Sequence, residues 1–430
     1  MGIKTFLERG KGYEAFADKA ISENRKGKIK LFLSKDGKAV DGKISYKLKR
    51  HDFDFGCNIF MLDQYDTAEE NKRYLDKWKK LFNTGVVPLY WEGTEPEKGL
   101  YRYNDNNGID MYRRPNARRV VDYCKENGIT PKGHPLFWHE FIPKWVPTEW
   151  NELFPLVEKR FSEISELFAE DIPVFDVLNE PSRIWDMTFE HASDGYKMVA
   201  PPEGYVEQIL ELGRKYFPGN KLVLNDAVSA SFCDFRGIYG GYYQLHKRLQ
   251  GEGYKVDKVG LQCHTYDGDM FKNVFVADRL NSLLDIYGSI CNDVVISEIS
   301  IPSNIGEEVQ AEAVEMMYKV AFSNPHTSGI FWWNLDDNGI TTFKNRDALG
   351  ENLPSAGLIR NGKEKESYRV LDRLINKEWH TEGSALTSNG ILEFEGFYGT
   401  YEIEIETDGK TKKETVSICK NSSPSVNISL

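Results

Sequence analysis

Residues 172–180 read IPVFDVLNE, and residues 293–300 read DVVISEIS. Each stretch is a short apolar run that carries a glutamate at or near its end, Glu180 in the first and Glu298 in the second. Runs of this length and composition are typical of parallel strands that are buried on both faces. The two stretches therefore predict a parallel sheet with carboxylates gathered at one edge.

Six further runs of the same kind lie around these two: FDFGCNIF (53–60), VVPLYW (86–91), ITPKGHPLFW (129–138), KLVLND (221–226), KVGLQCH (258–264) and SGIFWWNL (328–335). Helical periodicity follows each run, at residues 67–82, 114–127, 151–170, 203–217, 237–252, 274–289, 306–323 and 364–376. Eight β-α cycles predict an α/β fold of the closed (β/α)₈ TIM-barrel class. An open doubly wound sheet is the alternative, but no GxGxxG motif follows the first strand.

Both ends of the chain have a different pattern. Residues 3–25 predict a helix, and IKLFLSKDGKAVDGKISYKL (29–48) predicts a β-hairpin that turns at Asp36-Gly37. After residue 378 polar and apolar residues alternate, with turns at Asp408-Gly409 and Asn421-Ser422, which predicts strands. We expect three regions: 1–50 (helix and hairpin), 51–377 (barrel) and 378–430, whose strands pack with the hairpin as a small β unit.

Composition excludes several classes of protein. The net charge of the 430 residues is −11, and no Lys/Arg stripe is found, so a nucleic-acid partner is not expected. The six scattered cysteines form no CxxC pair or Cys/His cluster, and no metal or cofactor motif is found. No run is long enough for a membrane span, and no signal peptide precedes the first helix. The cytoplasm is the expected location, unless a leader has been removed from a secreted protein.

The predicted strand ends hold an unusual set of polar and aromatic side chains: His134, Trp138, Asn179, Glu180, Asn225, Asp226, Gln262, His264, Glu298, Trp332 and Trp333. Barrel enzymes place their active sites at the carboxyl ends of the strands. One glutamate there could simply cap a helix, and Asp226 is interpreted as a cap or supporting residue. Two glutamates together fit a glycosidic bond, because its hydrolysis needs one carboxyl to protonate the leaving oxygen and another to attack or activate water.

Five segments carry a resemblance to a known family: GHPLFWHEFIPKW, DVLNEP, LVLND, GLQCH and VVISEIS. In this order and spacing they resemble glycoside hydrolase family 10, the β-1,4-xylanases. The resemblance extends more weakly to TEPEKGLYRYND and FWWNLDD, and it covers roughly residues 50–376. It implies the TIM barrel that the strand pattern also predicts.

The resemblance also implies roles for the strand-end residues. Glu180 is similar to the family's general acid/base and Glu298 to its nucleophile, which implies a retaining mechanism with the carboxyls about 5–5.5 Å apart. Asn179 matches the residue that binds the sugar 2-OH, and His264 matches the histidine beside the nucleophile. Asn225 is carried over from the LND segment. Four more match residues lining the subsite of the cleaved sugar: His134, Trp138, Gln262 and Trp333.

Four departures from the family pattern concern sugar recognition and the surroundings of the nucleophile. Val86, Val87 and Tyr90 stand where the family carries acidic, Asn and Lys side chains that hold the next sugar. Phe141 replaces a Gln, and Ser300 replaces an Asp that completes a network with the histidine. The segment DDNGITTF (336–343) lacks an expected second Trp. We therefore expect the chemistry to be kept and the specificity to be altered.

Three functional hypotheses follow from the sequence. The first is a retaining endo-β-1,4-xylanase that acts on xylan or xylo-oligosaccharides without a cofactor. The second is a related retaining β-glycosidase for a different or decorated β-glycan. The third belongs to another class: a carbohydrate-binding protein without catalytic activity. All three expect an oligosaccharide or polysaccharide as partner, and neither nucleic acid nor a membrane.

Overall fold

The computed structural model describes residues 3–182, 199–227, 237–264, 277–304, 306–338, 355–420 and 425–430, with side chains from residue 12 onward. The chain begins with α1 (Ile3–Arg25), β1 (Lys26–Lys35), β2 (Lys38–Ala39) and β3 (Lys43–His51). Strands and helices then alternate: β4 (Asp54–Asn58), α2 (Ala68–Leu81), β5 (Thr84–Pro88), α3 (Trp91–Thr94), α4 (Ala117–Glu126), β6 (Thr130–His134), β7 (Phe137–Trp138), α5 (Trp150–Phe168), β8 (Val174–Asn179), α6 (Tyr205–Tyr216), β9 (Lys221–Asp226), α7 (Gly241–Gly251), β10 (Lys258–His264), α8 (Ala277–Gly288), β11 (Val294–Ser300), α9 (Glu307–Ser323) and β12 (Thr327–Trp332). The last elements are β13 (Ile359–Arg360), β14 (Lys363–Glu364), α10 (Glu366–Arg373), β15 (Glu382–Leu386), β16 (Ile391–Phe397), β17 (Gly399–Thr407), β18 (Lys410–Ile418) and β19 (Ser425–Ser429).

Eight strand positions form a closed parallel barrel. The hydrogen-bonded order is β6-β5-β4-β12-β11-β10-β9-β8-β7, and a further pairing of β6 with β8 closes the ring. The short strand β7 continues the third position and pairs with β8. The prediction of a (β/α)₈ barrel is confirmed, and every predicted barrel strand overlaps an observed one.

Successive side chains of β10 point alternately toward the layer of helices and into the barrel. Val259, Leu261 and Cys263 belong to the main hydrophobic core. Gln262 and His264, at the intervening positions, direct their side chains to polar partners inside the barrel. Because successive side chains point to opposite faces, one strand both packs against helices and delivers polar groups to the mouth.

Two strands break this alternation where the predicted site residues lie. The pairing of β8 with β9 shifts between Asp176 and Leu178, and the pairing of β11 with β12 shifts between Ile296 and Ile299. A bulge adds one residue to a strand and re-aims the side chains that follow. Glu298 lies within the second of these irregular stretches.

Strands from both ends of the chain pair in two sheets beside the barrel. β1 pairs with β16, β19 and β2, whereas β3 pairs with β15 and β17, which in turn pairs with β18. The hairpin at Asp36-Gly37 is confirmed for β1 and β2, but it is wrong for residues 43–48, which join the other sheet. The turn at Asp408-Gly409 joins β17 to β18, and Asn421-Ser422 lies outside the described residues. The division into three regions stays a prediction.

Helix α1 connects these sheets to the barrel. Its Tyr13 hydroxyl bonds the Ser323 hydroxyl at 3.2 Å. At its end, the Arg25 guanidinium donates to the carbonyl oxygens of Phe322, Asn324 and Thr327 at 2.6–2.7 Å. Cations are favoured at helix C-termini, where carbonyls lack partners, so Arg25 stabilises the end of α9.

The described residues contain neither a membrane-crossing helix nor a metal-binding cluster. None of the helices there is long and apolar enough to cross a membrane. Nor do three or more His, Cys, Asp or Glu side chains within those ranges gather in a way that could hold a metal ion.

Candidate active site

The two predicted catalytic glutamates lie at the carboxyl-end mouth of the barrel. Glu180 directly follows β8 and Glu298 lies in β11, and each is 5% exposed. The Glu180 backbone has a φ of +54°, in the left-handed region, and its N–H donates to the Asn225 carbonyl oxygen at 2.6 Å. A non-glycine residue there costs about 1–3 kcal/mol and is found most often at functional sites.

Asn225 connects the surroundings of both glutamates. Its side-chain N–H₂ donates to Glu298 Oε1 and to Asn179 Oδ1, both at 2.8 Å. Its own Oδ1 accepts a hydrogen bond from the Ser297 hydroxyl. Gly260 makes room for this amide, because a Cβ at that position would lie 2.7 Å from Asn225 Oδ1. The Asn225 side-chain amide is therefore held at both its nitrogen and its oxygen, beside the Glu298 carboxylate. The main-chain carbonyl of Asn225 bonds the backbone of Glu180.

His264 holds the other oxygen of Glu298. Its Nε2 lies 3.1 Å from Glu298 Oε2, and its Nδ1 lies 3.0 Å from Ser300 Oγ. An ionised carboxylate only accepts hydrogen bonds, so we assign the proton to Nε2. The Ser300 hydroxyl also lies 3.4 Å from the Trp333 carbonyl oxygen, to which it can donate. The departure at Ser300 thus keeps a hydrogen-bonding group beside His264 and removes a negative charge.

Asp226 lies behind Glu180 and is fully buried. Its carboxylate accepts hydrogen bonds from the backbone N–H groups of Ser182 and Ala227, at 2.8 and 2.7 Å. Burial, together with the smaller effect of the Glu180 charge, raises the pKa of Asp226 to about 7 against the lowering effect of the Ser182 hydrogen bonds. Asp226 therefore holds the turn after Glu180, as the interpretation of a supporting residue expected.

His134 is held from inside the barrel. Its Nδ1 lies 2.7 Å from Asp176 Oδ2, and Lys132 forms an ion pair with the same oxygen. Burial alone would raise the pKa of Asp176, but Lys132 and His134 lower it below the usual value. A buried charge is stable only when it is paired and hydrogen-bonded, so this triad fixes the orientation of the His134 ring at the mouth.

The opposite side of the mouth is aromatic and aliphatic. Phe60, Val86, Tyr90, Phe141 and Trp333 pack in one buried cluster. The Tyr90 ring lies 5.9 Å from Phe141 and 6.0 Å from Phe60, measured between centroids. Behind it, the Arg114 guanidinium lies 4.0 Å from the centroid of the Tyr90 ring. Val87 points the other way, into the main core.

Two tryptophans complete this wall. Trp138 lies in register with Asn179 and packs against Phe141, with ring centroids 5.1 Å apart. The Trp333 ring lies 5.4 Å from His134 and 6.4 Å from His264. Both indole N–H groups are buried without a hydrogen-bond partner within the described ranges. Such donors suit a polar ligand lying against the rings.

All nine predicted site residues lie at this one mouth, although their roles remain predictions. Hydrogen bonds link Glu298, His264, Asn225, Asn179 and Gln262, the last of these through Gln262 Nε2 to Asn179 Oδ1 at 3.3 Å. Ring contacts and strand register place His134, Trp138 and Trp333 beside them. The predicted lack of a second tryptophan falls partly on residues 339–343, outside the described residues.

Three residues of the site were not predicted from the sequence. Ser297 should face away from Glu298 by alternation, but the irregular pairing of β11 lets its hydroxyl reach Asn225. Phe60 lies just after β4, in a segment whose sequence has no periodic pattern that would predict where its side chain points. Asp176 did carry a usable signal, since a carboxylate in the middle of the apolar run VFDVL needs a buried cation.

Comparisons with known proteins give the family. The sequence model described as glycosyl hydrolase family 10 matches residues 62–365. The anti-sigma-I factor RsgI6 of Acetivibrio thermocellus is 27% identical over 417 residues, covering 92% of this chain and 47% of that protein. Endo-1,4-beta-xylanase 3 of Arabidopsis thaliana is 25% identical over 369 residues, covering 84% of this chain and 43% of the relative. The chain thus spans less than half the length of both relatives.

A solved structure shows the same fold. Xylanase 10B from Thermotoga petrophila RKU-1, in complex with xylobiose, superposes with a TM-score of 0.56 at 19% identity, covering 76% of this chain and 95% of that chain. At this identity the likeness supports the barrel architecture alone. The family match covers more than half of the chain and includes every predicted site residue. This chain belongs to glycosyl hydrolase family 10.

Proposed function

We propose that the chain is a retaining glycoside hydrolase that cleaves β-1,4-xylosidic bonds in xylan or xylo-oligosaccharides. The observation that carries the proposal is Asn225, which donates to the Glu298 carboxylate and accepts from the Glu180 backbone. A single residue thereby sets the position of one carboxylate relative to the chain that bears the other, through its side-chain N–H₂ and its main-chain carbonyl oxygen. Double displacement depends on that relation, because both carboxyls act on the same anomeric centre.

The proposed first step forms a glycosyl-enzyme. Glu298 attacks the anomeric carbon with a carboxylate lone pair, the bond to the leaving oxygen breaks, and Glu180 gives its proton to that oxygen. Asn225 and His264 each hold one oxygen of Glu298 and so aim its free lone pairs at the sugar.

The proposed second step returns the enzyme to its starting state. A water molecule attacks the anomeric carbon, Glu180 accepts its proton, and the bond to Glu298 breaks. Two inversions leave the configuration of the sugar unchanged. Asn179, held by Asn225 and Gln262, is placed to bond the 2-OH of the reacting sugar, a contact that strengthens in the transition state.

Alanine variants of the two glutamates test this assignment of roles. With an aryl β-xyloside that has a good leaving group, added azide should rescue both variants. Glu298→Ala should yield the α-glycosyl azide, because azide displaces the aryl group directly with one inversion. Glu180→Ala should yield the β-glycosyl azide, because azide replaces water in the second step. NMR of the products distinguishes the two anomers.

Exchanged anomers between the two variants would overturn the assignment. Glu211→Ala is a suitable control, because Glu211 is an exposed glutamate on α6 and should leave turnover unchanged. A panel of xylan, cellulose-type glucans and their oligosaccharides then defines the substrate. Release from glucans but not from xylan would favour the second hypothesis, a β-glycosidase for another β-glycan.

A second candidate function is carbohydrate binding without turnover. One relative that matches over 92% of this chain is named as an anti-sigma factor and not as a hydrolase, so turnover does not follow from that match. Glu298 and His264 nevertheless share a hydrogen-bond network with Asn225, which the Glu180 backbone also joins, and this supports catalysis. Sugar binding with no turnover, unchanged by Glu298→Ala, would select the binding function.

A further inference from the structure

The residue that follows Trp333 has a backbone conformation that few side chains adopt. Asn334 directly follows Trp333 in the chain and has a φ of +78°, in the left-handed region. Asparagine tolerates this region better than most residues, although glycine is the usual choice there. Because the two residues share a planar peptide unit, any hydrogen bond that holds Asn334 also limits the movement of Trp333.

Asn334 is held through both its side chain and its main chain. Its Oδ1 accepts from the Asn58 amide at 3.2 Å and from the guanidinium of Arg113. Its main-chain carbonyl oxygen accepts from Trp332 Nε1 at 3.2 Å. Hydrogen bonds from three separate side chains therefore meet at the residue next to Trp333.

Arg113 reaches this point from a segment outside the barrel strands. It belongs to MYRRPN (111–116), which directly precedes α4. The residue is completely buried and has a φ of +60°, and its N–H donates to Gln64 Oε1 at 3.0 Å. A buried charge costs several kcal/mol unless it is hydrogen-bonded, and a positive φ costs a non-glycine residue about 1–3 kcal/mol. Two unfavourable features thus coincide at the cation that bonds Asn334.

The neighbouring residue anchors this segment in the aromatic wall of the mouth. Nη1 of Arg114 donates to the Arg113 carbonyl oxygen at 3.1 Å, and its guanidinium lies 4.0 Å from the centroid of the Tyr90 ring. Arg102 Nη2 in turn donates to the Arg114 carbonyl oxygen at 3.0 Å. The segment is therefore fixed on both sides, and Arg113 meets Asn334 in one defined orientation.

The Trp333 ring itself is surrounded by edge-to-face contacts. Its centroid lies 5.6 Å from that of Phe60, 5.4 Å from that of His134 and 6.4 Å from that of His264, at interplanar angles of 70–83°. The Trp333 N–H donates to the Ile299 carbonyl oxygen at 2.8 Å. Aromatic contacts of this kind contribute about 0.5–1.5 kcal/mol each. A charge-assisted hydrogen bond at the next residue adds a restraint at least as large.

We propose that Arg113 is a positioning residue for substrate binding, which holds Asn334 and thereby fixes the Trp333 ring at the mouth. The proposal rests on the proposed function for the identity of the sugar that Trp333 contacts. That contact exists both in the bound substrate and in the transition state, so a misplaced ring raises KM more than it lowers kcat. The hydrogen bonds of the Glu298 carboxylate do not include Arg113.

Three variants of the full chain test the link between Arg113 and Asn334. Arg113→Met keeps the aliphatic stem and removes the guanidinium, and we expect KM for an aryl β-xyloside to rise about tenfold with kcat within about twofold. Asn334→Gly keeps the positive φ and removes the acceptor, so it should raise KM similarly. Arg113→Lys keeps a cationic donor, and its KM should rise less than that of Arg113→Met.

Trp333→Phe separates this role from general stabilisation. If Arg113 acts through Trp333, Arg113→Met should raise KM no further in a chain that already carries Trp333→Phe. Arg25→Met is the matched control, because the Arg25 guanidinium also donates to oxygen acceptors but lies at the other end of β12, where it bonds the Thr327 carbonyl oxygen. Arg25→Met should lower the free energy of unfolding and leave KM unchanged.

An unchanged KM in Arg113→Met would overturn the proposal, as would a further tenfold rise in the Trp333→Phe chain. An equal rise for Arg25→Met would also overturn it, because the effect would then follow from lost stability. A chain that binds xylotriose but cleaves no glycoside would reject the hydrolase and not the role of Arg113. Calorimetric Kd values for xylotriose would then replace KM, and a tenfold weaker Kd in Arg113→Met that is absent in Arg25→Met would support the role.

Discussion

The two sides of the barrel mouth are built from different chemistry. We call the first the polar half, made of Asn179, Glu180, Asn225, Gln262, His264 and Glu298 on β8 to β11. We call the second the aromatic half, made of Phe60, Val86, Tyr90, Trp138, Phe141 and Trp333. In the polar half the side chains of Asn179, Asn225, Gln262, His264 and Glu298 are oriented by hydrogen bonds, and Glu180 is positioned through its backbone N–H. The aromatic half is held by ring packing.

This difference separates chemistry from specificity. Rigid hydrogen-bond donors stabilise charge that develops in a transition state, and they lose effect when a partner moves by a fraction of an ångström. Stacking on rings tolerates many sugars, because its energy depends on the shape and apolar area of the sugar rather than on the positions of its hydroxyls. We therefore expect the polar half to set the rate and the aromatic half to set the range of sugars accepted.

The largest expected effect comes from breaking the polar half at Asn225. Asn225→Ala removes the donor to Glu298 Oε1 and the donor to Asn179 at once. We expect kcat to fall by roughly 10²–10³-fold, as when one preorganised donor to a developing charge is lost. Initial rates with an aryl β-xyloside measure the effect.

Ser297→Ala provides the graded control, because it removes only the hydroxyl that bonds Asn225 Oδ1. Its kcat should fall by about tenfold or less. Equal losses for the two variants would mean that Asn225 acts on the fold rather than on Glu298, and urea unfolding would then show both variants destabilised.

A smaller effect is expected from placing a family-like cation in the aromatic half. Tyr90→Lys sets an ammonium group beside the Arg114 guanidinium, which lies 4.0 Å from the Tyr90 ring centroid. A buried cation next to another cation should lower the free energy of unfolding by about 2–4 kcal/mol. Tyr90→Phe keeps the ring and should stay close to the wild-type stability.

Urea unfolding of both variants checks this prediction. If Tyr90→Lys is as stable as the wild type and gains selectivity for xylose-based substrates, the aromatic half is not a packed unit. Its specificity would then depend on position 90 alone.

The smallest expected effect concerns Asp226, which lies behind the polar half. Burial raises the pKa of Asp226 to about 7, so the folded protein binds this proton more tightly than the unfolded chain, where an aspartate has a pKa of about 4. The stability that this proton contributes is fully present below about pH 4 and is lost as pH rises through about 7. Asp226→Asn should therefore make the unfolding midpoint less dependent on pH across this window.

The same variant should move the alkaline limb of activity to lower pH. The charge of Asp226 favours the protonated form of Glu180, and its removal weakens that effect. Thermal unfolding and pH–rate profiles from pH 4 to 9 measure both outcomes. A variant that loses stability equally at every pH would show that Asp226 acts only through its hydrogen bonds to the turn.

The barrel and its polar half were largely predictable from the sequence. Apolar runs of strand length mark each barrel strand, and the polar residues at their ends must meet because parallel strands share one edge. His264, Glu298 and Asn225 follow from that rule together with the family motifs. The hydrogen bond between Ser300 and His264 did not follow, because a serine in a strand is equally compatible with a purely structural role.

The aromatic half and the terminal strands were harder to predict. Phe60 and Phe141 lie in segments without regular periodicity, so their meeting at Tyr90 depends on tertiary packing. The residues of β3 alternate as a hairpin strand would, but they join the second sheet because register is set by the partner strands. Ser297 reached the site only through the irregular pairing of β11.

Trapping the covalent intermediate tests the central claim, that the polar half holds Glu298 as a nucleophile. The full chain is incubated with an activated 2-deoxy-2-fluoro-β-xylobioside, which forms the glycosyl-enzyme faster than water can remove it. Mass spectrometry should show one added fluoro-xylobiosyl group, located on the peptide that contains Glu298. Turnover of ordinary aryl xylosides with no adduct, or an adduct on another residue, would contradict the account.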